Sequence, residues 1–174
     1  MIEVGALTGD ATINGGTFQA LSVSGTVTNN GGIVAPGASP AISTFGSYEQ
    51  DGSATLEMEI GGRVPGSSGY DQLIITGDAT LAGTLEIILI DLGGGQYEPQ
   101  EGDTFALFDF QCNVNGWFDT VNLPTLTEGL AWDTSNLELS GELGVELGVV
   151  PEPRTYALIL GIVMLLASQT RRGR

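Results

Sequence analysis

The sequence has no histidine, no lysine and a single cysteine, Cys112. Without histidine the chain cannot form a Ser-His-Asp triad, a Cys-His pair or a histidine-ligated metal site. One cysteine can form neither a disulfide within the chain nor a thiolate zinc site. The missing residue types therefore exclude the commonest nucleophilic and metal chemistries.

Positive charge is also scarce, because five arginines face 21 acidic residues and the net charge is −16. Only Arg63 precedes residue 150, whereas Arg154, Arg171, Arg172 and Arg174 lie close to the C-terminus. A body this acidic repels phosphate backbones, so we expect no nucleic-acid partner. The charge asymmetry divides the chain into a body, residues 1–148, and a C-terminal segment, residues 149–174.

Among the 174 residues 27 are glycine, and 41% are hydrophobic, which is enough for a core. Short apolar alternations are separated by Gly, Asn, Asp and Ser, a pattern typical of β-structure. The alternation predicts strands at residues 21–24, 54–60, 85–90, 105–110 and 137–139. Residues 35–47 are predicted as a loop, because Pro36 and Pro40 interrupt a ladder. The body is therefore predicted to be all-β.

An internal repeat refines this prediction. Residues 7–18 (LTGDATINGGTF) match residues 23–34 (VSGTVTNNGGIV) at a spacing of 16, and residues 75–81 (ITGDATL) repeat the opening letters. A constant short period with glycine turns predicts a stacked β-coil, in which each rung buries its apolar face against the next. Beyond about residue 70 the period is lost, and we expect a sandwich-like cap there. The alternative is a β-sandwich with similar hairpins.

The body also resembles the C-terminal part of autotransporter-like passenger regions. The resemblance rests on GGIVAPGASPAISTF, YEQDGSATLEMEIGG, YDQLIITGDATLAGTLEIILID and EGDTFALFDF, which cover roughly residues 30–110. It implies a right-handed parallel β-helix, or solenoid, on the cell exterior. The opening residues MIEVGALTGDATINGG read like the middle of such a domain, so we expect the body to be the C-terminal part of a longer passenger.

The C-terminal segment contains an uncharged apolar run from Tyr156 to Ala167. We predict a membrane helix over about residues 155–169. The arginine cluster that follows it, Arg171, Arg172 and Arg174, is expected on the cytoplasmic side and the body outside. A buried core helix is the alternative, but such a helix would show one polar face. The apolar side chains assigned to the membrane helix are Tyr156, Leu158, Ile159, Leu160, Ile162, Val163, Met164, Leu165 and Leu166.

The order of a Pro-Glu-Pro motif, a short apolar helix and a terminal basic cluster resembles the PEP-CTERM sorting signal of Gram-negative bacteria, also catalogued as an ice-binding-protein C-terminal domain. The resemblance implies that exosortase, a membrane enzyme, recognises Pro151, Glu152 and Pro153. The cytoplasmic basic tail is then Arg171, Arg172 and Arg174. The family usually has a small residue after the second proline, where this chain has Arg154.

A few residues are candidates for chemistry. Asp119 and Asp133 flank a segment with Trp117, Phe118 and Trp132, which suggests a sugar site, but core packing of the tryptophans is the simpler interpretation. Cys112 is interpreted as a small core residue or a free surface thiol. Asp10, Asp51, Asp78 and Asp103 each lie near a glycine and are interpreted as turn residues rather than calcium ligands. We predict no catalytic residue, no metal site and no cofactor.

The sequence therefore predicts an exported, non-enzymatic structural protein of the cell surface or extracellular matrix, of the kind found in biofilms. Exosortase and the inner membrane are the expected partners, and exopolysaccharide is a further candidate. One alternative is a carbohydrate-binding or carbohydrate-active module presented on the same anchor. Another is a plain single-span membrane protein that no enzyme processes.

Overall fold

The structure is a computed structural model that describes residues 1–37 and 40–148. Nearly all of its regular elements are strands, and the one helix is a single turn. In chain order they are β1 Ile2–Leu7, β2 Ala11–Ile13, β3 Thr17–Asn29, β4 Ile33–Pro36, β5 Ile42–Gln50, β6 Thr55–Ile60, β7 Gln72–Ile75, β8 Ala79–Thr80, β9 Thr84–Leu89, β10 Thr104–Ala106, β11 Phe108–Phe110, β12 Val114–Asn115, β13 Thr120–Asn122, β14 Leu130–Asp133, α1 Leu137–Ser140 and β15 Glu142–Leu147.

Twelve strands form one parallel sheet whose main path runs β11-β7-β5-β3-β4-β6-β9-β13, with β1, β2, β8 and β12 beside it. The long strand β3 lies at the centre of this path and pairs with β4 through its first half and with β5 through its second. The sheet therefore curls into a half-barrel. The parallel pairing excludes a sandwich of hairpins, and the predicted closed solenoid is wrong because the sheet stays open.

The predicted repeat of 16 residues is confirmed as the register of the first turns. Ile2 lies opposite Phe18, and Thr12 lies opposite Thr28. The side-chain amide of Asn30 donates to Asn14 Oδ1 across the same spacing of 16 residues, at 2.8 Å. Residues at equivalent positions of the repeat therefore lie side by side on neighbouring strands.

Later turns of the chain are longer. Side-chain contacts between neighbouring turns join residues 16 apart in the first turns, then 21, 30 and finally 36 apart. The added residues lie mainly in the connections at 61–71 and 90–103, which follow β6 and β9. This growth is why no constant period can be read after residue 70. The parallel sheet nevertheless continues to β13, so the prediction that a cap begins near residue 70 is wrong.

A column of glycines, the glycine corner, follows Leu7, Val23, Phe45 and Ile75 by one or two residues; it lies just beyond β1 and β7 and inside β3 and β5, whose pairing shifts register here. Its members are Gly9, Gly25, Gly46 and Gly77. The N–H of Gly25 donates to Gly9 O at 3.0 Å, and the N–H of Gly77 donates to Gly46 O at 2.6 Å. A Cβ on Gly46 would lie 2.6 Å from Gly25 O, so the turns approach too closely for any side chain.

The core lies inside the curl. Leu56, Met58 and Ile60 are fully buried, whereas Glu57 and Glu59 on the opposite face of β6 are only half-buried, as the alternation predicted. Two polar side chains, Asn29 and Gln50, are also buried inside in register with each other. The Asn29 amide donates to Thr55 O and the Gln50 amide donates to Ala82 O, each in the following turn of the chain. These side chains thus provide hydrogen bonds to buried backbone carbonyls.

The end of the curled sheet formed by the longest turns, which contains β11, β12 and β13, is called the wide end. A small antiparallel sheet, β10-β15-β14, lies beside it together with α1. The strand predicted at 137–139 is wrong. Leu137 is 2% exposed and Leu139 is 82% exposed, which places them on different sides of a helical turn rather than on one strand face.

The loop predicted at 35–47 is wrong at both ends, where residues 35–36 belong to β4 and residues 42–47 to β5. Gly37, Pro40 and Ala41 between them lie outside the strands, as predicted. Pro36 is tolerated because β6 pairs with β4 only at Ile33 and Val34, so the side of β4 that faces away from β3 needs no N–H donor at Pro36.

Candidate functional site

The residues predicted to sort and anchor the protein all lie outside the described residues. This applies to the motif Pro151, Glu152 and Pro153, to the predicted membrane helix, and to the tail Arg171, Arg172 and Arg174. Within residues 1–37 and 40–148 no helix is both long and apolar enough to span a bilayer. The candidate sites of the described residues are therefore those of the β-body.

Two of the aspartates considered as calcium ligands hold neighbouring turns together. Asp10 Oδ1 accepts the backbone N–H of Thr26 at 2.8 Å. Asp78 takes the same place three turns later, where its Oδ1 accepts the backbone N–H of Asn113 at 3.2 Å and the side-chain amide of Asn113 at 3.0 Å. The repeated words LTGDATI and ITGDATL thus perform the same structural task. In the described part of the chain no group of three or more Asp, Glu or Cys side chains could hold a metal ion.

The aspartates considered as a sugar-cleaving pair are also engaged. Asp119 Oδ2 accepts the N–H of Gly83 at 2.7 Å, and Asp133 Oδ1 accepts the N–H of Ser135 at 2.9 Å. The hydrogen bonds from Ser135 lower the pKa of Asp133, which favours a permanently charged turn residue over a proton donor. A general acid needs the opposite shift, because it must hold its proton near neutral pH.

Both tryptophans are partly buried and packed. The ring of Trp117 meets Phe108 and Phe118 edge to face, with centroids 6.3 and 5.0 Å away. Trp132 packs against Phe105 and donates its indole N–H to Pro124 O at 2.8 Å. Phe118 is buried beside Trp117. Trp117 thus packs on rings of the curled sheet, and Trp132 packs on a ring of the small sheet, so both tryptophans contribute to core packing.

Arg63 is the one basic residue among the described residues, and it forms an ion pair with Asp103. Its Nε lies 2.8 Å from Asp103 Oδ1, and the carboxylate of Asp103 is 6% exposed. Tyr97 donates its hydroxyl to Asp103 Oδ2 at 2.8 Å, and the N–H of Gln100 donates to the same oxygen. Asp103 therefore fastens the two long connections to each other. Sequence reasoning missed this pair because its members lie far apart along the chain, in two different connections.

A cleft of about 620 Å³ opens beside this pair. The residues that line it are Gly61, Leu92, Gly94, Gly95, Gln96, Tyr97 and Glu98. Asp91 Oδ1 accepts the N–H groups of Gly93, Gly94 and Gly95 at 2.6 to 2.9 Å, so these donors are taken by the protein itself. The polar side chains that line the cleft are thus the hydroxyl of Tyr97, the amide of Gln96 and the carboxylate of Glu98. The glycine N–H groups of the loop are bonded to Asp91 and do not form an anion site.

A second buried carboxylate belongs to Asp71, the last residue of the connection at 61–71. Asp71 is 1% exposed, and its two oxygens accept the N–H of Ala41 at 2.6 Å and the N–H of Glu59 at 2.8 Å. Burial raises the pKa of Asp71 to about 7, and the nearby Glu59 and Glu57 add to the rise. Burial also raises the pKa of Glu59, whose Oε2 has no hydrogen-bond partner. Asp71 joins three segments of chain and contacts no cavity described above.

Cys112 is exposed, with its Sγ 3.4 Å from Thr76 O, so of its two interpretations the surface thiol is the one observed. Comparisons of the chain with known protein families, with curated proteins and with solved structures give no match. Function is therefore inferred from the residues themselves.

Proposed function

We propose that the chain is an exported, non-enzymatic structural protein of the cell surface or extracellular matrix. In this proposal exosortase sorts and processes it through Pro151, Glu152 and Pro153, the apolar helix holds it in the inner membrane until then, and exopolysaccharide retains it afterwards. The resemblance to passenger regions also leads us to propose that the winding of the curled sheet is right-handed.

One observation supports the structural role: four of the six carboxylates considered for chemistry hold separate segments of the chain together. Asp10, Asp78 and Asp119 accept backbone N–H groups from a different turn, and Asp103 pairs with Arg63. Side chains used in this way stabilise the fold through charge-assisted hydrogen bonds. An acidic body of this kind suits an exposed scaffold.

The export part of the proposal is supported by the distribution of charge. Basic residues next to an apolar segment stay on the cytoplasmic side, whereas acidic residues contribute little to orientation. Three arginines, Arg171, Arg172 and Arg174, follow the apolar run, whereas only Arg154 stands directly before it, and all 21 acidic residues lie on the body side of the run. A single span with this arrangement orients the β-body away from the cytoplasm.

The experiment uses the full chain expressed in a Gram-negative host that contains an exosortase. Replacing Pro151, Glu152 and Pro153 together by alanine should stop processing while the protein stays in the membrane fraction, because the apolar segment is intact. Deleting residues 149–174 should release the body from the membrane or stall its sorting. A Gln169→Ala variant is the control and should be processed normally.

Mass spectrometry of the mature C-terminus is the readout that separates the proposal from a plain single-span protein. Wild type should end within the C-terminal segment, and the triple-alanine variant should retain Arg174. An intact C-terminus in wild type, or an unchanged location after the deletion, would rule the proposal out. The carbohydrate alternative has the cleft beside Tyr97 as its candidate surface, but no described contact favours a sugar there over another neutral ligand.

A further inference from the structure

One asparagine side chain at the wide end takes no part in holding the described fold together. The chain contains three Asn-Gly pairs, at residues 14–15, 30–31 and 115–116. The side-chain amide of Asn30 donates to Asn14 Oδ1 at 2.8 Å, so these two amides hold each other. Asn115 is exposed, and its side-chain amide has no hydrogen-bond partner among the described residues. The Asn115 amide therefore has no contact of this kind to break before it reacts.

The glycine that follows Asn115 is required by the fold. The φ of Gly116 is +70°, and a Cβ there would lie 2.6 Å from Leu81 O. Within residues 1–37 and 40–148 the N–H of Gly116 donates to no acceptor. Because glycine has no side chain to shield it, this nitrogen can approach the side-chain carbonyl of the residue before it. The corner thus requires the one residue type that makes an adjacent asparagine reactive.

The backbone at Asn115 is also held weakly. Asn115 belongs to β12, which has two residues and pairs, in the described chain, only with the two residues of β8. A ladder this short opens at little cost in free energy. At the pair 30–31, by contrast, the N–H of Asn30 donates to Ile13 O at 2.8 Å and the N–H of Gly31 points to Asn29 Oδ1 at 3.4 Å. Backbone rotation is therefore easier at Asn115 than at Asn30.

We propose that Asn115 is a site of spontaneous modification, at which the protein's own backbone converts the side-chain amide into a carboxylate. The nitrogen of Gly116 loses its proton to solvent hydroxide and forms a bond to Cγ of Asn115, which closes a succinimide ring. The bond from Cγ to Nδ2 breaks, and Nδ2 takes a proton from water and leaves as ammonia. Water then opens the ring at Cγ to give aspartate, or at the main-chain carbonyl to give isoaspartate. The net reaction consumes water and releases ammonia, with no oxidation or reduction.

The modification should loosen the wide end. The N–H of Leu81 donates to Asn115 O at 2.9 Å, a bond that joins two turns. In isoaspartate the main chain runs through Cγ and is longer, so the carbonyl that accepts this bond is displaced. Both products also add a negative charge to a chain whose net charge is already −16. Ageing at Asn115 therefore weakens a contact between turns and changes the charge of the molecule.

The proposal does not depend on export, and it is tested on the full-length chain, aged at pH 8 in a mild nonionic detergent and in water enriched in heavy oxygen. Peptide mapping with electron-transfer fragmentation distinguishes aspartate from isoaspartate and should find both at residue 115, labelled by the solvent. Conversion at Asn30 should be at least about fivefold slower, because a hydrogen bond that must open first raises the barrier by about 1 kcal/mol. In urea, where the fold is lost, Asn30 and Asn115 should convert at similar rates.

Asn136 is a matched control within the same chain. Its side chain is also exposed and makes no capping hydrogen bond, but leucine follows it instead of glycine. Asn136 should remain an amide while Asn115 is converted, because the leucine side chain hinders the attacking nitrogen.

Asn115→Gln tests the consequence for the wide end, since the longer side chain closes the corresponding ring far more slowly. Hydrogen exchange at the Leu81 amide should become faster as wild type ages and should stay constant in Asn115→Gln. Asn136→Gln should age as wild type does. The proposal is overturned if Asn30 converts as fast as Asn115 in the folded protein, if the preference for Asn115 persists in urea, or if exchange at Leu81 is unchanged in the aged protein.

Discussion

At the scale of single residues, the buried carboxylate of Asp71 has the clearest consequence for stability. An acid whose pKa is raised on folding binds a proton more tightly in the folded state than in the unfolded chain. Its contribution to stability is therefore fully present below the unfolded pKa near 4 and is lost as the pH rises towards about 7. The same direction applies to Glu59, which packs beside it.

The first prediction is that the free energy of unfolding falls between pH 5 and pH 8, and that Asp71→Asn reduces this fall. Asparagine has no charge to desolvate, but its amide can accept only one of the two N–H groups, so we expect a loss of about 1–3 kcal/mol at pH 5. Urea unfolding at the two pH values measures both effects. Asp51→Asn, at an exposed turn position, should keep the wild-type pH dependence. An equally steep fall in Asp71→Asn would contradict the assignment.

The sequence predicted some of these residues and not others. Asp10 and Asp78 could be interpreted as turn residues because each follows a glycine within a repeated word. Asp71 could not be singled out, because its partners Ala41 and Glu59 are 30 and 12 residues away along the chain. A carboxylate is recognised as buried only once the strands around it have been placed.

At the scale of elements, the prediction succeeded where the turns have equal length. The spacing of 16 residues in the repeated words is by itself enough to set the register of β1, β2 and the first half of β3. It failed where the connections lengthen, because residues that stack in space no longer share a period. The helix α1 was mistaken for a strand since three residues, Leu-Glu-Leu, fit a period of 2 as well as the start of a period of 3.6.

The glycine corner supplies the second prediction. A Cβ on Gly25 would lie 2.6 Å from Gly9 O, so Gly25→Ala should push two turns apart and destabilise the fold by about 3 kcal/mol. Gly5→Ala is the control, because a Cβ there meets nothing within 4 Å and alanine restricts the unfolded chain. Thermal unfolding should show a large loss for the first variant and little change for the second. Equal melting temperatures would argue against close stacking at this corner.

At the scale of the whole molecule, the net charge of −16 opposes compaction. Only Arg63 offsets the acidic residues of the described body, and Asp103 already neutralises it. Added salt shortens the screening length from about 10 Å at 0.1 M to about 3 Å at 1 M. Salt therefore weakens the repulsion between the carboxylates of neighbouring turns.

The third prediction is therefore that sodium chloride raises the melting temperature at pH 8. The rise should be much smaller near pH 4, where many carboxylates are protonated and less repulsion remains to be screened. Calorimetry at low and high salt, at both pH values, makes the comparison. A rise of equal size at the two pH values would indicate a general salt effect on apolar burial instead of relief of repulsion.

The growth of the turns from 16 to 36 residues also bears on the order in which the molecule folds. Closing the widest turn costs about 0.7 kcal/mol more conformational entropy than closing the narrowest, and contacts distant in sequence form slowly. The narrow turns also precede the wide ones along the chain, so they are synthesised before them. We expect them to form while the chain is still being made, so that each completed turn is the template on which the next, wider turn assembles.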